Sequence, residues 1–387
     1  MARLRVLMAH SYYRQRGGED TSFEAERDML RRHGHEVIEF VRHNDDMARA
    51  GALRQAVGTV WNRPVADELS KVIQVSTPDV VHFQNTFPAM SPAVLRAAKA
   101  SGSPVIASLR NFRITCVNAL LLRDGGPCED CLGNSLPWKG IVHRCYRTRP
   151  ASAVVAAMDA THHVFDTWAK SVDRYIVLSE FQASRLSKVL PPERLALKPN
   201  FLYPDPGMGD GDGDFALFIG RLSEEKGLAP LVEAWVGIGS TLRLKVVGDG
   251  PAMNDVKEAS GGSRLIEFLG GMESRDVLDL LGRAVALVLP SLWYEGFPRV
   301  IVEAFARGTP VVTYDIGTQG EVIDHETTGL VETFGQPGAL VEACQRLGRD
   351  SAMRTRLGRN ARSRFEDLYT ESVNYQRLID IYEAAGA

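Results

Sequence analysis

Short apolar runs alternate with amphipathic stretches along the whole chain. In the first half, the runs at residues 4–9, 36–41, 80–83, 105–109 and 174–178 read as strands. Their length suits strands better than helices, and most are followed by polar or glycine-bearing turns. Helical periodicity lies between them, at 18–33, 64–75 and 92–100. Strands that alternate with helices predict a parallel sheet covered on both faces. The pattern then breaks at 200–214, NFLYPDPGMGDGDGD, where glycine and aspartate replace anything that could build a core. Such a stretch reads as a linker or a long surface loop. Beyond it the alternation restarts, with strands expected at 215–219, 243–247, 266–269, 284–289 and 310–314. Helices are expected between them at 227–237, 252–260, 274–281 and 298–307. The chain therefore divides into an α/β domain over 1–199, a linker over 200–214 and a second α/β domain over 215–362. A last helical stretch, 363–387, is expected to pack back across the domains.

Composition narrows the function. A chain of 387 residues has room for two ordinary cores. A formal net charge of −3 gives no overall basic field, so no nucleic-acid partner is expected. No run approaches the roughly 18 apolar residues of a membrane helix. The opening MARLRVLMAHS has an apolar stretch too short for a secretion signal and reads as a first buried strand, so the cytoplasm is the expected location.

In open sheets of this kind ligands gather beyond the carboxyl ends of the strands. The glycine-bearing loops fall there: RGGED, GRLSEEKG, GDGP and GTQGE. Arg221 and Lys226, in FIGRLSEEKG, follow a strand and precede a helix, where two cations and backbone N–H groups suit a diphosphate. In SLWYEGFPRVIVEAFARGTPVV, Glu295 precedes a helix that Pro298 opens and Gly308 ends, and Glu303 lies within that helix. Two carboxylates can accept from sugar or ribose hydroxyls, and the N–H groups around Gly296 and Phe297 can hold an anion. Taken singly, these are also ordinary surface charges at a helix start. Gly17 and Gly18, at the first strand–helix junction, let a ligand approach the backbone.

Taken in order, FIGRLSEEKG, VVGDGP, IEFLGG, VLPS and Glu295-x7-Glu303 within GFPRVIVEAFARGTPVV resemble glycosyltransferase family 4 over essentially the whole chain. The resemblance implies the GT-B fold, with two Rossmann-like domains whose parallel sheets face across a central cleft. It further implies retaining transfer from a nucleotide-diphosphate sugar to a hydroxyl acceptor, with no cofactor required for catalysis. On that pattern Arg221 and Lys226 bind the diphosphate and Glu303 the ribose. Glu295, with Gly296 and Phe297, holds the sugar, Leu269 and Gly270 border the base, and Gly18 approaches the phosphate. The acceptor would be a glycan, a glycolipid or a small metabolite, and a lipid-linked acceptor would bring peripheral membrane contact. Where many members carry a histidine after the fourth strand, this chain has Arg110, which cannot accept a hydrogen bond as imidazole can. His82, a lone histidine ending the strand VVHF, reads as structural. A nucleotide-sugar epimerase or a non-catalytic binder of the same fold would share the donor motifs.

Four of the five cysteines cluster: Cys116, Cys128, Cys131 and Cys145, with 11, 2 and 13 residues between them. The spacing admits a structural zinc site, with His143 able to replace one thiolate. It equally admits plain thiols in an acceptor-binding insertion.

Overall fold

The computed structural model describes residues 3–48 and 51–387. The chain forms two compact units. The first comprises residues up to 121, 129–199 and 374–387; the second comprises 122–128 and 200–373.

The first unit is built on a six-stranded sheet. Its strands are β1 (Arg5–Tyr12), β2 (Glu36–His43), β3 (Val80–Asn85), β4 (Val105–Ser108), β7 (Arg174–Val177) and β8 (Leu195–Leu197). A short hairpin, β5 (Leu122–Arg123) and β6 (Gly126–Pro127), lies apart from it and goes with the second unit. The strand order is β2-β1-β3-β4-β7-β8, and every pairing is parallel. β3 is buried at every position, as a strand covered on both faces must be. The helix Gly18–Arg32 follows β1. Glu19 and Asp20 in its first turn and Arg31 and Arg32 in its last both suit the helix dipole.

The second unit repeats the plan with β9 (Phe215–Ile219), β10 (Arg243–Val247), β11 (Ile266–Gly270), β12 (Ala286–Leu289), β13 (Val311–Tyr314) and β14 (Gly329–Glu332). Their order is β11-β10-β9-β12-β13-β14, again all parallel. From β9 the chain moves outward to β10 and β11, then returns to β12 on the other side. The β9/β12 boundary is therefore the switch point, the place where open sheets of this kind bind ligands in the crevice beyond their strand ends. The core includes Trp235, whose indole N–H donates to the Leu242 carbonyl at 2.7 Å.

The edge strands β8 and β14 and the helices Arg149–Val164 and Pro337–Arg349 add to the elements expected from sequence. The stretch 200–214 lies along the second unit, with Gly209 N–H bonded to the Arg307 carbonyl and Gly211 N–H to that of Gly282. A Cβ on Gly209 would stand 2.2 Å from the Gly282 Cα, so its glycine content permits close backbone packing. The final helical stretch is two helices, Ser351–Leu368 and Glu371–Ala384, broken at Tyr369. From Asn374 onward the chain belongs to the first unit, where the Tyr382 hydroxyl and His82 Nδ1 share a hydrogen bond at 2.8 Å and Tyr375 stacks on His33.

Candidate functional site

The switch point of the second unit gathers the sequence-flagged charges. After β9, Arg221 is exposed, and Lys226 ends a single 3-10 turn, Glu224–Lys226. After β12, the loop carries Ser291, Trp293 and Glu295. The fold brings Lys226 Nζ to 2.6 Å from Glu295 Oε1, although 69 positions separate them. The Ser291 hydroxyl donates to the same oxygen, also at 2.6 Å. Lys226 Nζ lies 5.7 Å from the centre of the Trp293 ring, a cation–π approach. Backbone ties hold the two loops in register, since Leu292 N–H donates to the Glu225 carbonyl at 2.8 Å. A buried carboxylate thus meets a half-buried ammonium at the lip of the crevice. That pairing is the electrostatic centre of the site.

Three further residues stiffen the Glu295 loop. Thr318 donates to the Gly296 carbonyl at 3.0 Å, Asn200 to the Phe297 carbonyl at 2.9 Å, and Gln319 to the Ser291 carbonyl at 3.3 Å. These contacts fix the peptide planes of Gly296 and Phe297. The loop GTQGE was flagged only for its glycines; the work falls to its Thr318 and Gln319. Pro298 caps the helix Arg299–Ala306 instead of opening it. Glu303, on that helix, is half-buried; burial raises its carboxyl pKa while Arg299 pulls it down. Leu269 and Gly270 end β11, two strands from the switch point, and Gly248 N–H donates to the Gly270 carbonyl.

Gly227 makes the turn out of the Lys226 loop. It has φ +66°, and a Cβ there would stand 2.1 Å from the Pro290 carbonyl oxygen. Gly227→Ala is therefore expected to lower the melting temperature and loosen the Lys226–Glu295 pair. Thermal unfolding together with nucleotide binding checks this; an unchanged melting point would contradict it.

The first unit holds a different constellation. Gly17 caps the helix Gly18–Arg32, its N–H bonded to Asp20 Oδ2 at 3.0 Å, and Gly18 is exposed. Arg110, which the resemblance aligns with the histidine position on the donor side, takes part in a buried network. Its guanidinium donates to Glu26 Oε1 at 2.8 Å and to Gln84 Oε1 at 3.1 Å. Lys198 Nζ reaches the same Glu26 oxygen at 2.6 Å, and Gln84 donates to the other. Burial alone would raise the Glu26 carboxyl, but Lys198 and Arg110 outweigh it and hold its pKa at about 2. His82 is fully buried between Ser108 and Tyr382, and burial lowers its pKa to about 4. It is a satisfied core histidine.

Beside this network a pocket opens at the carboxyl ends of β3 and β4, with about 610 Å³ of empty space including its mouth. Phe83, Phe87, Leu95, Met158, Trp168 and Tyr175 give it an apolar interior. Glu19, Asn85, Asn111 and Arg113 supply polar groups. Glu19 is oriented by Tyr13, which donates at 2.9 Å, and by Asn111, at 2.7 Å. The buried Trp168 indole N–H has no hydrogen-bond acceptor.

Among the described residues no three His, Cys, Asp or Glu side chains stand together as a metal ion requires. Cys116 is turned into the core, where burial raises its thiol pKa and its Sγ–H meets Asn118 Oδ1 at 2.9 Å. Cys128 goes with the second unit, while Cys116, Cys131 and Cys145 go with the first. No helix among the described residues is long and apolar enough to cross a membrane.

Comparison with known proteins places these features. Residues 208–364 match the family model "Glycosyl transferases group 1". The D-rhamnosyltransferase WbpZ of Pseudomonas aeruginosa is 34% identical over 160 residues, 40% of this chain and 42% of that protein. The alpha-D-kanosaminyltransferase of Streptomyces kanamyceticus is 28% identical over 46% of this chain and 47% of its own. The matched stretch thus spans less than half the length of these relatives. Among solved structures, HepE of Anabaena in complex with UDP superposes with a TM-score of 0.70 at 16% identity, over 98% of this chain and all of that one. A sucrose-phosphate synthase of Thermosynechococcus elongatus gives 0.72 at 19% identity, over 98% of each chain. The protein has the α/β two-domain fold of the GT-B glycosyltransferases, and its second unit is similar to glycosyl transferases group 1.

Proposed function

We propose that this protein is a retaining glycosyltransferase of the family 4 type that moves a sugar from a nucleoside-diphosphate sugar to a hydroxyl acceptor. The Lys226–Glu295 pair at the β9/β12 switch point carries the reading, because it sets a cation and a hydroxyl-accepting carboxylate at one crevice. The relatives' names, a rhamnosyltransferase and a kanosaminyltransferase, and the UDP bound to HepE support the same chemistry.

In this reading Arg221 and Lys226 receive the diphosphate. The donor displaces Lys226 from its pairing with Glu295 and frees that carboxylate for sugar hydroxyls. As the bond from the anomeric carbon to the phosphate oxygen breaks, charge develops on the diphosphate, where the two cations stabilise it. The acceptor oxygen bonds to the anomeric carbon on the face the phosphate leaves, and its proton passes to a departing phosphate oxygen. Configuration is therefore kept without a covalent enzyme intermediate. The first-unit pocket, with Glu19 and Asn111 at hand, receives the acceptor. No metal or cofactor is assigned a role in the step.

Turnover of a panel of nucleotide sugars with candidate acceptors, read by NMR for product anomeric configuration, tests this. Retention with strict acceptor dependence is expected. Inverted product would exclude the retaining step, and conversion of the donor to its epimer without acceptor would favour the epimerase reading.

The two carboxylates separate by substitution. Glu303→Gln is expected to weaken nucleoside-diphosphate binding about 10- to 100-fold, the usual worth of a hydrogen bond to a charged acceptor. Glu295→Ala is expected to reduce turnover and sugar discrimination more than diphosphate affinity. Titration of both variants with nucleoside diphosphate checks the assignment; the opposite ranking would exchange their roles.

A further inference from the structure

The first-unit pocket carries a cation without a counter-charge. Arg113 lines it, half-buried, with its guanidinium 4.2 Å from the centre of the Phe87 ring and 5.3 Å from that of Tyr146. Its Nη1 donates to the Val117 carbonyl, and its backbone N–H donates to Asn111 Oδ1 at 2.9 Å. Two rings and two hydrogen bonds thus fix the group, yet its fork of five N–H donors is not used up. Among the described residues no carboxylate forms an ion pair with it. Glu19 is turned to Tyr13 and Asn111, and although the buried Asp159 feels the Arg113 charge, burial works against its ionising. A fixed guanidinium in a pocket wall with no partner suits a planar anion.

The rest of the lining says what carries that anion. Gln84 and Arg110 are engaged with Glu26, Asn85 with the Ser11 carbonyl and the Phe87 N–H, and Ser108 with His82. With those polar groups committed, the interior offers a ligand mainly Phe83, Leu95, Met158 and Trp168. A sugar ring would bury hydroxyls there without partners, whereas an aromatic or alicyclic ring would not. Glu19 keeps acceptor sites after its two bonds, since a carboxylate offers about four, and can take a hydroxyl. Asn111 pins both charges, giving its amide N–H to Glu19 and its carbonyl to the Arg113 backbone.

We propose that the acceptor is a small hydroxylated ring acid, whose apolar ring fills this pocket while its carboxylate pairs with Arg113 and its hydroxyl meets Glu19. The proposal rests on the transferase reading and deepens it by naming the acceptor class. On transfer the hydroxyl oxygen bonds to the anomeric carbon as the bond to the diphosphate breaks. The hydroxyl proton passes to the departing phosphate oxygen, and the carboxylate is unchanged.

Calorimetric titration of the full chain without donor tests it, with meta- and para-hydroxybenzoate and para-hydroxycinnamate set against their methyl esters and against methyl glucoside. At least one acid is expected to bind about 10- to 100-fold tighter than its ester, the usual worth of a hydrogen-bonded charge. Arg113→Gln is expected to erase that difference while ester affinity holds, and Arg113→Lys to keep part of it. Glu19→Gln is expected to weaken acid and ester alike, and nucleoside-diphosphate affinity reports that each variant is folded. Equal binding of acid and ester, preference for methyl glucoside, or no binding by any of them would overturn the proposal. So would donor turnover that glycosylates other alcohols and leaves every bound acid untouched. Failure of the transferase reading would leave the preference for acid over ester intact, whereas failure of this proposal would leave donor turnover intact.

Discussion

Lys226→Ala is expected to lower kcat about 10²- to 10³-fold, and Arg221→Ala to do comparable damage. Lys226 acts in two ways. It carries a positive charge to the diphosphate and, in the free protein, neutralises Glu295 at 2.6 Å. Its removal leaves a buried carboxylate with Ser291 as a donor, at the place where the proposed diphosphate leaving group forms. Lys226→Arg preserves charge but not the compact ammonium and is expected to recover only part of the loss. Steady-state kinetics with an identified donor check this. Near-normal turnover in both alanine variants, with the fold intact, would remove the diphosphate assignment.

Glu26→Ala is expected to cost about 3–5 kcal/mol of stability, since it strands Lys198 and Arg110 as buried, uncompensated cations. The pH dependence has a definite sign. The Glu26 pKa falls from its ordinary 4.5 to about 2 on folding. Its contribution is therefore fully present above pH 4.5 and is lost as pH drops through 2. His82 acts in the same direction at a higher window. Its pKa of about 4 lies below its ordinary 6.5, so protonation of the unfolded chain drains stability as pH falls from 6.5 to 4. Melting curves of wild type and Glu26→Gln from pH 7 downward check both. A flat wild-type profile across pH 6.5–4 would contradict the histidine contribution.

The central strands were legible because apolar runs mark them, as in ALVL of β12 and the Val pairs that open β3 and β13, and every position in these strands is buried. The edge strands β8 and β14 were not, because three or four residues leave too little pattern. At the site, Lys226 and Glu295 were each recognisable from motif, yet only the parallel order of β9 and β12 brings them together. Arg110 shows the limit more sharply. Its place after β4 suggests a ligand contact, yet nothing in the sequence shows that it also meets Glu26 on the first helix, the carboxylate that Lys198, just before the glycine-rich stretch, reaches as well. An amphipathic helix gives no hint that one of its glutamates faces two buried cations. The cysteine spacing likewise carries no information about Cys116 turning into the core.

Calorimetric titration with a set of nucleoside diphosphates tests the central claim most directly, because it needs neither the sugar nor the acceptor. At least one is expected to bind wild-type protein saturably at a single site, with affinity sharply reduced in Lys226→Ala and weakened in Glu303→Gln. Failure of every nucleoside diphosphate to bind, or binding indifferent to both substitutions, would contradict a donor site at the β9/β12 switch point.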